Sequence, residues 1–461
     1  MIDLPAKWVA EAAGGRLVAG SADAHGPRRA VVDSRAAGPG DLFVGLPGER
    51  ADGGAFAPAA LAQGAWGVLV GPAHAEEATE PGAPTRPGAA TRPGATPPAG
   101  EPDPVVIAAP DPLAALASLA RAWRRELGCP AVGVTGSTGK TSTKDILTAL
   151  LRPQRRTHAN RENLNTEVGM PLSLLEAERG TEVLVLEMAM RGEGQIAELA
   201  RIAEPQVGVI VNVGPVHLEL LGTVERVAAA KAELIRDLPA GAKCVVPAGE
   251  RLLAEHLRAD LETVSFGPGG DVELLGLDRD GRAEIAAAGD RIQLELPYAQ
   301  PHNVLNTLAA VAAALALEVR PEGRVDVEFS AMRGQEVELA GGVTVINDCY
   351  NANPMSMRAA LEHLAATPAG RRIAVLGVMA ELGPDAERYH REVGERAAEL
   401  EIDMVVTVGE EALPYAEGFH GERHSVQDPE EAGALLEELA APGDRVLVKG
   451  SRSAGLERIL S

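Results

Sequence analysis

GVTGSTGKTSTKD at residues 133–145 joins a short apolar run to a glycine-hinged loop, a lysine and paired hydroxyl side chains. This order predicts a β-strand, then a phosphate-binding loop, and then a helix over residues 142–151. Gly136 and Gly139 allow the backbone of the loop to turn its N–H groups toward an anion. The segment therefore predicts a phosphate site where a strand passes into a helix.

The residues that end the loop supply the chemistry that a nucleotide needs. Lys140 would reach the β- and γ-phosphates, and Thr141 would offer its hydroxyl to Mg²⁺. The general pattern G-x4-G-K-[S/T] expects glycine where Val134 stands, so the match is to a T-G-x-x-G-K-T variant. A glycine-rich turn without a ligand is the alternative. The residues predicted to bind nucleotide here are Gly136, Ser137, Thr138, Gly139, Lys140, Thr141 and Ser142.

Length and charge indicate an acidic protein of several domains. The chain has 461 residues, which suits about two to four domains. Lysine and arginine total 43 against 66 aspartates and glutamates, which gives a net charge of −23. Such a charge argues against nucleic acid or an anionic membrane as a partner.

Cysteine usage and the apolar runs predict a cytoplasmic protein that does not insert into a membrane. Cys129, Cys244 and Cys349 are odd in number and outside any C-x-x-C spacing, so neither a disulfide framework nor a zinc site is indicated. The N-terminus has no secretory signal pattern. The longest uncharged apolar run, residues 308–317, is too short to span a bilayer and predicts a buried helix.

Composition changes sharply at about residues 71–105. This stretch is rich in proline and glycine, has almost no large apolar side chains, and repeats TRPGA at residues 85–89 and 91–95. Such a segment cannot bury enough apolar surface to offset the entropy of ordering. We expect a disordered insert here.

Strands that alternate with helices predict an α/β protein of three domains. AVGVTG, EVLVLEMA and VGVIVNVG each precede a helical stretch, at residues 142–151, near 194–202 and near 223–237. VTVINDCY, RIAVLGVMAELG, MVVTVGE and RVLVKGSR repeat the pattern, each followed by a helical stretch. The pattern is typical of parallel, doubly wound sheets. The predicted domains are a small N-terminal α/β domain at residues 1–105, a central P-loop domain at 106–318 and a Rossmann-like C-terminal domain at 319–461.

Two side chains follow strands of the central unit at the sheet edge where open α/β folds bind ligands. Glu187 ends EVLVLE, and His217 follows VGVIVNVG. Both could face the phosphate loop from neighbouring strands and hold Mg²⁺ directly or through water. The alternatives are a solvated strand end for Glu187 and a hydrogen-bonded loop histidine for His217.

Several motifs, in their order along the chain, resemble those of the Mur ligases. They are VTGSTGKTSTK, ENLNTEVGMPLSLL, EMAMRGEGQIAEL, NVGPVHLELLGTVERVAAAKAEL, PHNVLNTLAA and INDCYNANPMSM. The resemblance covers the chain apart from the Pro-rich insert. The Y-N-A-N-P run at residues 350–354 and the M-x-E-L-G run at 379–383 are similar to those of family members that add a dipeptide.

The resemblance implies an ATP-dependent ligase that works with Mg²⁺ in the cytoplasm during assembly of the peptidoglycan precursor. Its substrates would be a UDP-N-acetylmuramoyl-tripeptide and D-alanyl-D-alanine, and it would act as a monomer. ATP would phosphorylate the peptide carboxylate, and the dipeptide amine would attack the acyl phosphate. The alternatives are a related ligase that adds a single amino acid and a catalytically silent Mur-like scaffold that binds nucleotide.

The resemblance also implies a modified lysine. In this family the lysine of the A-K-x-E run is carbamylated, and that residue matches Lys231 in AAAKAEL. A carbamate would turn a cation into a carboxylate, and the alternative is an exposed helix lysine. Lys140, His217 and Lys231 are the implied catalytic residues, and Thr141, Glu187, His217 and Lys231 are the implied metal ligands.

Further contacts follow from the same resemblance. Asn303 and Asn306 lie at i and i+3 of a helix start and would recognise adenine, although Asn303 could instead cap the helix. Asp348 would bind the ribose, and Arg333 would approach the phosphates when the third unit closes. The implied substrate-binding residues are Ser34, Arg35, Asn163, Asn165, Tyr350, Asn351, Lys449 and Arg452, of which Ser34 and Arg35 would contact the UDP group.

Three positions depart from the family pattern. Val378 stands where an acidic residue is usual, Ala189 replaces a common glycine, and Gly54 occupies the place of a frequent histidine. These differences concern the predicted dipeptide and uridine contacts. The ATP site matches throughout.

Overall fold

The strands form three sheets, which follow one another along the chain. The computed structural model describes residues 4–48, 51–80, 103–161, 163–287, 289–339 and 341–460. Within these ranges the sheets contain five, ten and six strands. Among the described residues, no helix combines the length and apolar character that crossing a bilayer requires.

The first sheet has the strand order β1-β5-β4-β3-β2, in which β2 to β5 are parallel and β1 is antiparallel. Its strands are β1 (Arg16–Ala19), β2 (Arg29–Val31), β3 (Asp41–Val44), β4 (Gly67–Val70) and β5 (Val105–Ala108). The helices of this unit are α1 (Ala6–Ala12), α2 (Ala57–Ala62) and α3 (Pro72–Thr79). Helix α4 (Pro112–Leu127) follows the sheet and packs against two helices of the next unit, Gly169–Glu176 and Gln195–Ala203.

The prediction of a disordered insert at about residues 71–105 is wrong at both ends of this range. Helix α3 spans Pro72–Thr79, and its buried Ala75 and Ala78 pack into the core of the first unit. Strand β5 begins at Val105 and pairs with β4. A proline at the first helical turn and small apolar residues form this helix despite the low hydrophobicity of the stretch. Residues 81–102, which contain the repeats, lie outside the described residues.

The second sheet has the order β15-β14-β13-β12-β11-β10-β9-β6-β8-β7. Its strands are β6 (Ala131–Thr135), β7 (Thr157–Ala159), β8 (Val183–Glu187), β9 (Val207–Ile210), β10 (Lys243–Pro247), β11 (Glu262–Phe266), β12 (Val272–Leu277), β13 (Arg282–Ala287), β14 (Asp290–Glu295) and β15 (Gly323–Arg324). Its helices are α5 (Lys140–Leu151), α6 (Gly169–Glu176), α7 (Gln195–Ala203), α8 (Leu218–Leu221), α9 (Val224–Asp237) and α10 (Pro301–Ala316).

Helices cover both faces of the parallel part of this sheet, as the sequence predicts. Helices α5 and α10 pack on one face, whereas α4, α6, α7 and α9 pack on the other. The helices predicted near 194–202 and 223–237 and the buried helix over 308–317 are confirmed as α7, α9 and α10. Helix α5 begins at Lys140, two residues earlier than predicted, because the left-handed Gly139 ends the loop.

The second sheet has an antiparallel extension that is not predicted from the sequence. Strands β12, β13 and β14 form a meander that alternates buried and exposed side chains along β14. Strand β15 then pairs with β14, which carries the second sheet beyond residue 318, where the sequence analysis ends the central unit.

The third sheet has the order β16-β17-β21-β18-β19-β20 and is parallel except for β16. Its strands are β16 (Gln335–Leu339), β17 (Val343–Asn347), β18 (Arg372–Leu376), β19 (Met404–Val408), β20 (Glu422–Val426) and β21 (Arg445–Lys449), and its helices are α11 (Pro354–Ala366), α12 (Ala386–Glu399), α13 (Leu413–Gly418) and α14 (Pro429–Leu439). Among the described residues, strand β21 is followed by 3₁₀ helices at Arg452–Ala454 and Leu456–Leu460, so the helical stretch predicted after RVLVKGSR is 3₁₀ rather than α-helical.

Candidate active site

The phosphate loop connects β6 to α5 and is held in shape by a side chain of the next strand connection. The Asn212 Oδ1 atom accepts hydrogen bonds from the backbone N–H groups of Ser137 (3.0 Å) and Thr138 (2.9 Å). The Asn212 amide donates in return to the Thr138 carbonyl at 3.0 Å. Asn212 is not predicted from the sequence, because one asparagine after a strand has no distinctive local pattern.

Lys140 lies in the first turn of α5 and points back over the loop. Its Nζ donates to the Gly136 carbonyl at 3.0 Å. Burial lowers the pKa of Lys140, with Arg333 adding repulsion and Glu187 opposing both. A half-buried ammonium where the loop passes into a helix is suited to bind an anion, which would accept its remaining hydrogen bonds.

Glu187 is a buried part of this site and not a solvated strand end. Its side chain is about 1% exposed. Oε2 accepts a hydrogen bond from Thr141 Oγ1 at 2.8 Å, and Oε1 accepts one from Asn165 Nδ2 at 2.8 Å. The backbone N–H of Glu187 donates to Asn160 Oδ1 at 2.8 Å. The carboxylate is thus fixed beside the hydroxyl that the sequence analysis assigns to Mg²⁺.

His217 adopts a left-handed backbone conformation, with φ at 54°, just before α8. Its Nδ1 lies 2.5 Å from Glu381 Oε2, which belongs to the third unit. Burial lowers the pKa of His217, while the bond to Glu381 opposes this shift and Lys231 and Lys140 add to it. The alternative of a hydrogen-bonded histidine is therefore realised, and the ring still lines the same cavity as Lys140 and Glu187.

Lys231 is buried inside helix α9, so the alternative of an exposed lysine is wrong. Its side chain is about 2% exposed. Burial, together with repulsion from Lys140, lowers the pKa of Lys231 well below its ordinary value. Its Nζ has no hydrogen bond or ion pair to any other described residue. A buried ammonium without a counter-ion is unfavourable, whereas a neutral amine, or a carbamate anion with the Lys140 cation nearby, is not.

The oxygen ligands of the cavity, Thr141 and Glu187, fit Mg²⁺ better than a metal ion whose ligands all come from protein side chains. Within the described ranges, no three His, Cys, Asp or Glu side chains are placed to hold a metal ion together. Mg²⁺ keeps several waters and takes one or two carboxylates plus phosphate oxygens. Thr141 and Glu187 would therefore hold Mg²⁺ together with the nucleotide phosphates. The predicted ligands His217 and Lys231 would join them if Lys231 carries a carboxylate.

The third unit closes one side of the cavity. Asp348 Oδ2 lies 2.6 Å from Lys449 Nζ, which also donates to the Asn351 carbonyl at 3.0 Å. The Arg333 guanidinium stacks on the Tyr350 ring, 4.2 Å from its centroid. All five side chains line the cavity, whose volume is about 1,030 Å³. The buried Lys449 is thus part of this cavity.

The start of α10 forms the opposite wall. The N-cap of this helix is Gln300, so Asn303 does not cap it. Asn306 packs on the phosphate loop so closely that a Cβ at Gly139 would lie 2.5 Å from its Oδ1. Burial lowers the pKa of His302 to about 4, which keeps this imidazole neutral near pH 7. Neutral polar groups beside apolar side chains suit an adenine base better than a charged group.

Several predicted substrate residues lie outside this cavity. Asn163 and Arg452 are exposed, and Arg452 pairs with Glu457 at 3.3 Å. Ser34 and Arg35 follow β2 in the first unit, and the 88% exposed Arg35 side chain pairs with Asp33 at 2.8 Å. Parallel α/β sheets bind ligands at the carboxyl ends of their strands, so this edge of the first sheet remains available for the UDP group.

Gly54, which stands where the family often has a histidine, packs against the ring of another histidine, His74. A Cβ at residue 54 would overlap the ring of His74, which comes from α3. His74 Nδ1 lies 3.0 Å from Glu77 Oε2, and its Nε2 lies 3.0 Å from Asp52 Oδ2. The hydrogen bond to Glu77, and then the one to Asp52, raises the pKa of His74. The imidazole therefore occupies the space that a side chain at position 54 would need. His74 is not predicted from the sequence, because it lies in the segment expected to be disordered.

Comparisons with known proteins agree with this arrangement. The chain matches the Mur ligase family, catalytic domain at residues 30–124, the Mur ligase middle domain at 134–314 and the Mur ligase, glutamate ligase domain at 332–452. It is 39% identical to the UDP-N-acetylmuramoyl-tripeptide–D-alanyl-D-alanine ligase of Mycobacterium tuberculosis, over 99% of this chain and 96% of the relative.

Two solved structures are similar over nearly the whole chain. A crystal structure of MurF from Acinetobacter baumannii is 28% identical, covers 99% of this chain and 98% of its own, and gives a TM-score of 0.83. MurF ligase from Thermotoga maritima in complex with ADP is 32% identical, covers 94% of this chain and 96% of its own, and gives a TM-score of 0.78.

Proposed function

This chain belongs to the Mur ligase family, and on that premise we propose that it joins D-alanyl-D-alanine to a UDP-N-acetylmuramoyl-tripeptide with the energy of ATP. The single observation that carries the proposal is the cavity between the second and third units. It brings the phosphate loop, Glu187, Arg333 and Asp348 around one space of about 1,030 Å³. Each of these groups has a counterpart in the chemistry of a nucleotide.

The reaction begins with transfer of the γ-phosphoryl group to the terminal carboxylate of the tripeptide. A carboxylate oxygen forms a bond to phosphorus, and the bond to the β-phosphate oxygen breaks to release ADP. Lys140 and Arg333 supply positive charge where negative charge develops, and bound Mg²⁺ adds charge neutralisation on the phosphate oxygens. No side-chain nucleophile is required.

The dipeptide amine then attacks the acyl carbon, and phosphate leaves as the amide forms. The amine must lose a proton, which phosphate or a cavity side chain can accept. His217 and Lys231 are the two predicted catalytic residues near this point. Water would destroy the acyl phosphate, so the third unit, which contacts the loop through Asn353 Nδ2 and the Ser137 carbonyl at 3.4 Å, also serves to exclude solvent.

The substrate contacts follow the division into three units. We place the UDP group at the carboxyl edge of the first sheet, near Ser34 and Arg35. The nucleotide lies between the second and third units, with adenine against Asn303 and Asn306 and the ribose at Asp348. The three buried, unpaired cysteines suit a cytoplasmic enzyme. Action as a monomer stays a prediction.

Phosphate release tests the proposal directly. Purified protein is given ATP, Mg²⁺ and UDP-N-acetylmuramoyl-tripeptide, together with D-alanyl-D-alanine or with single amino acids, and the Lys140→Ala variant serves as the inactive control. We expect release with the dipeptide alone and a product whose mass equals that of both substrates minus water. Equal or faster release with a single amino acid would favour the related ligase instead. Nucleotide binding without any release would favour the silent scaffold.

A further inference from the structure

Glu381 is the residue of the third unit that contacts His217. It lies in the connection between β18 and α12, which crosses to the second unit. Its Oε2 lies 2.5 Å from His217 Nδ1, and its Oε1 lies 2.8 Å from Arg191 Nη2. Its carbonyl accepts a hydrogen bond of 3.1 Å from the backbone of Glu219. One residue of the third unit thus contacts three residues of the second.

The backbone on both sides of this contact is held in an uncommon conformation. The φ angles of His217 and Glu381 are 54° and 62°, in the left-handed region that residues other than glycine rarely adopt. Gly383, with φ at 62°, approaches so closely that a Cβ there would lie 3.1 Å from the Glu219 Cα atom. Such conformations persist only where the surroundings hold them, and they concentrate at functional sites.

The contact determines how the imidazole can act. With Nδ1 bonded to a carboxylate, the ring proton sits on Nδ1, and Nε2 carries the lone pair. His217 lines the main cavity together with Lys140 and Glu187, whereas Glu381 lies outside it. A carboxylate that orients a histidine from behind fixes its tautomer and raises its strength as a ligand or base.

We propose that Glu381 is a positioning residue that makes His217 competent only when the third unit is docked. This inference rests on the proposed function, with the dipeptide placed at the third unit beside the implied substrate contacts Asn351 and Lys449. Glu381 comes from that unit, so its docking and the orientation of His217 are one event. An open enzyme would then hold ATP beside an unoriented imidazole, which limits transfer of the phosphoryl group before the amine is in place.

The first test compares Glu381→Gln with Glu387→Gln. Glu387 lies in the first turn of α12, pairs with Arg391 at 2.6 Å and does not touch His217, so it controls for loss of a carboxylate nearby. We expect Glu381→Gln to lower kcat about 10–100-fold, the usual cost of losing such a partner, with the KM for ATP nearly unchanged. Glu387→Gln should stay within about two-fold of the parent. Equal effects of the two changes would overturn the proposal.

A double-mutant cycle separates positioning from a purely structural role. Asparagine tolerates the left-handed backbone, so His217→Asn is a suitable second change. If Glu381 acts through His217, Glu381→Gln should cause no further loss in the His217→Asn background. Losses that multiply would overturn the proposal.

A binding readout does not depend on turnover. Mn²⁺ replaces Mg²⁺ as a probe, and its binding to the enzyme–ADP complex is followed by the electron paramagnetic resonance of the free ion. We expect Glu381→Gln, but not Glu387→Gln, to weaken Mn²⁺ binding about 10-fold or more. Unchanged Mn²⁺ binding would overturn the inference whether or not the parent uses the dipeptide, whereas a parent that releases no phosphate would contradict the proposed function instead.

Discussion

Thr141 Oγ1 donates a hydrogen bond of 2.8 Å to Oε2 of Glu187, which joins the first turn of α5 to the end of β8. Both groups are buried, and Asn165 occupies the other carboxylate oxygen. In the presence of a nucleotide and Mg²⁺, hydroxyl and carboxylate can turn their lone pairs to the cation without moving the backbone. This pair is therefore the point at which the phosphate loop and the neighbouring strand act together.

Replacing Glu187 by glutamine should remove this function and keep the fold. The amide has the same size but no charge, and its NH₂ group would face a cation. We expect kcat to fall roughly 10²–10³-fold, as when one group that stabilises transition-state charge is lost. Phosphate release measures the effect. Glu182→Gln is the control, because Glu182 is exposed and directly precedes β8, and it should have little effect. Activity close to that of the parent would contradict a role for Glu187 at the cation.

The carbamate predicted at Lys231 can be tested by chemical rescue. Lys231→Ala should be nearly inactive, because the helix then offers no carboxylate beside the phosphate site. Short-chain carboxylic acids that fit the vacated space should restore part of the activity. Phosphate release with and without the acid measures this, and ethanol or an alkyl amine of similar size should not restore it. A Lys231→Ala variant with near-parental turnover would show that no carbamate is needed.

Stability gives an independent test of the same lysine. In CO₂-free buffer, Lys231→Met should unfold at a higher temperature than the parent, since it removes a buried amine that has no partner in the part of the chain that the structure describes. The gain should be about 2–4 °C for each kcal/mol, measured by calorimetry.

The pH dependence of this difference has a defined sign. The pKa of Lys231 is lowered well below its ordinary value of 10.5 in the folded chain. At pH values between the two, the unfolded chain binds a proton that the folded chain lacks, so the stability of the parent rises with pH in this window. Lys231→Met has no such slope at this position. The advantage of the variant should therefore shrink as the pH approaches 10.5.

Asp348 and Lys449 form a second testable pair at the edge of the nucleotide cavity. Asp348→Asn should raise the KM for ATP about 10–100-fold, because a charged hydrogen-bond partner is worth roughly 1.5–3 kcal/mol. It should also lower the unfolding temperature, since Lys449 is buried and loses its counter-ion. Initial rates against ATP concentration measure the first effect. Asp385→Asn, an exposed carboxylate on the same unit, is the control.

Local chemistry explains what the sequence predicted well. The loop at residues 133–145 needs glycine, lysine and threonine in fixed order, so the site is visible in one short stretch. Asn212 contacts Thr138, which lies 74 residues earlier in the sequence. Glu381 contacts His217, which lies 164 residues earlier. Each is a common residue type in an ordinary loop. Their roles depend on how the units dock, which no local pattern records. The burial of Lys449 depends in the same way on its partner Asp348, 101 residues away.

Deletion of residues 81–102 should leave turnover within a few-fold of the parent when a short Gly/Ser linker joins the ends. This stretch has almost no large apolar side chains, so its loss removes little burial energy. A longer deletion, of residues 75–102, should be harmful, because Ala75 and Ala78 of α3 are buried in the first unit and Glu77 hydrogen-bonds His74 beside Gly54. Phosphate release and thermal unfolding of both variants measure the difference. If the shorter deletion also abolished activity, the segment would have to contact substrate or another part of the chain, whereas a harmless longer deletion would show that α3 contributes nothing to the first unit.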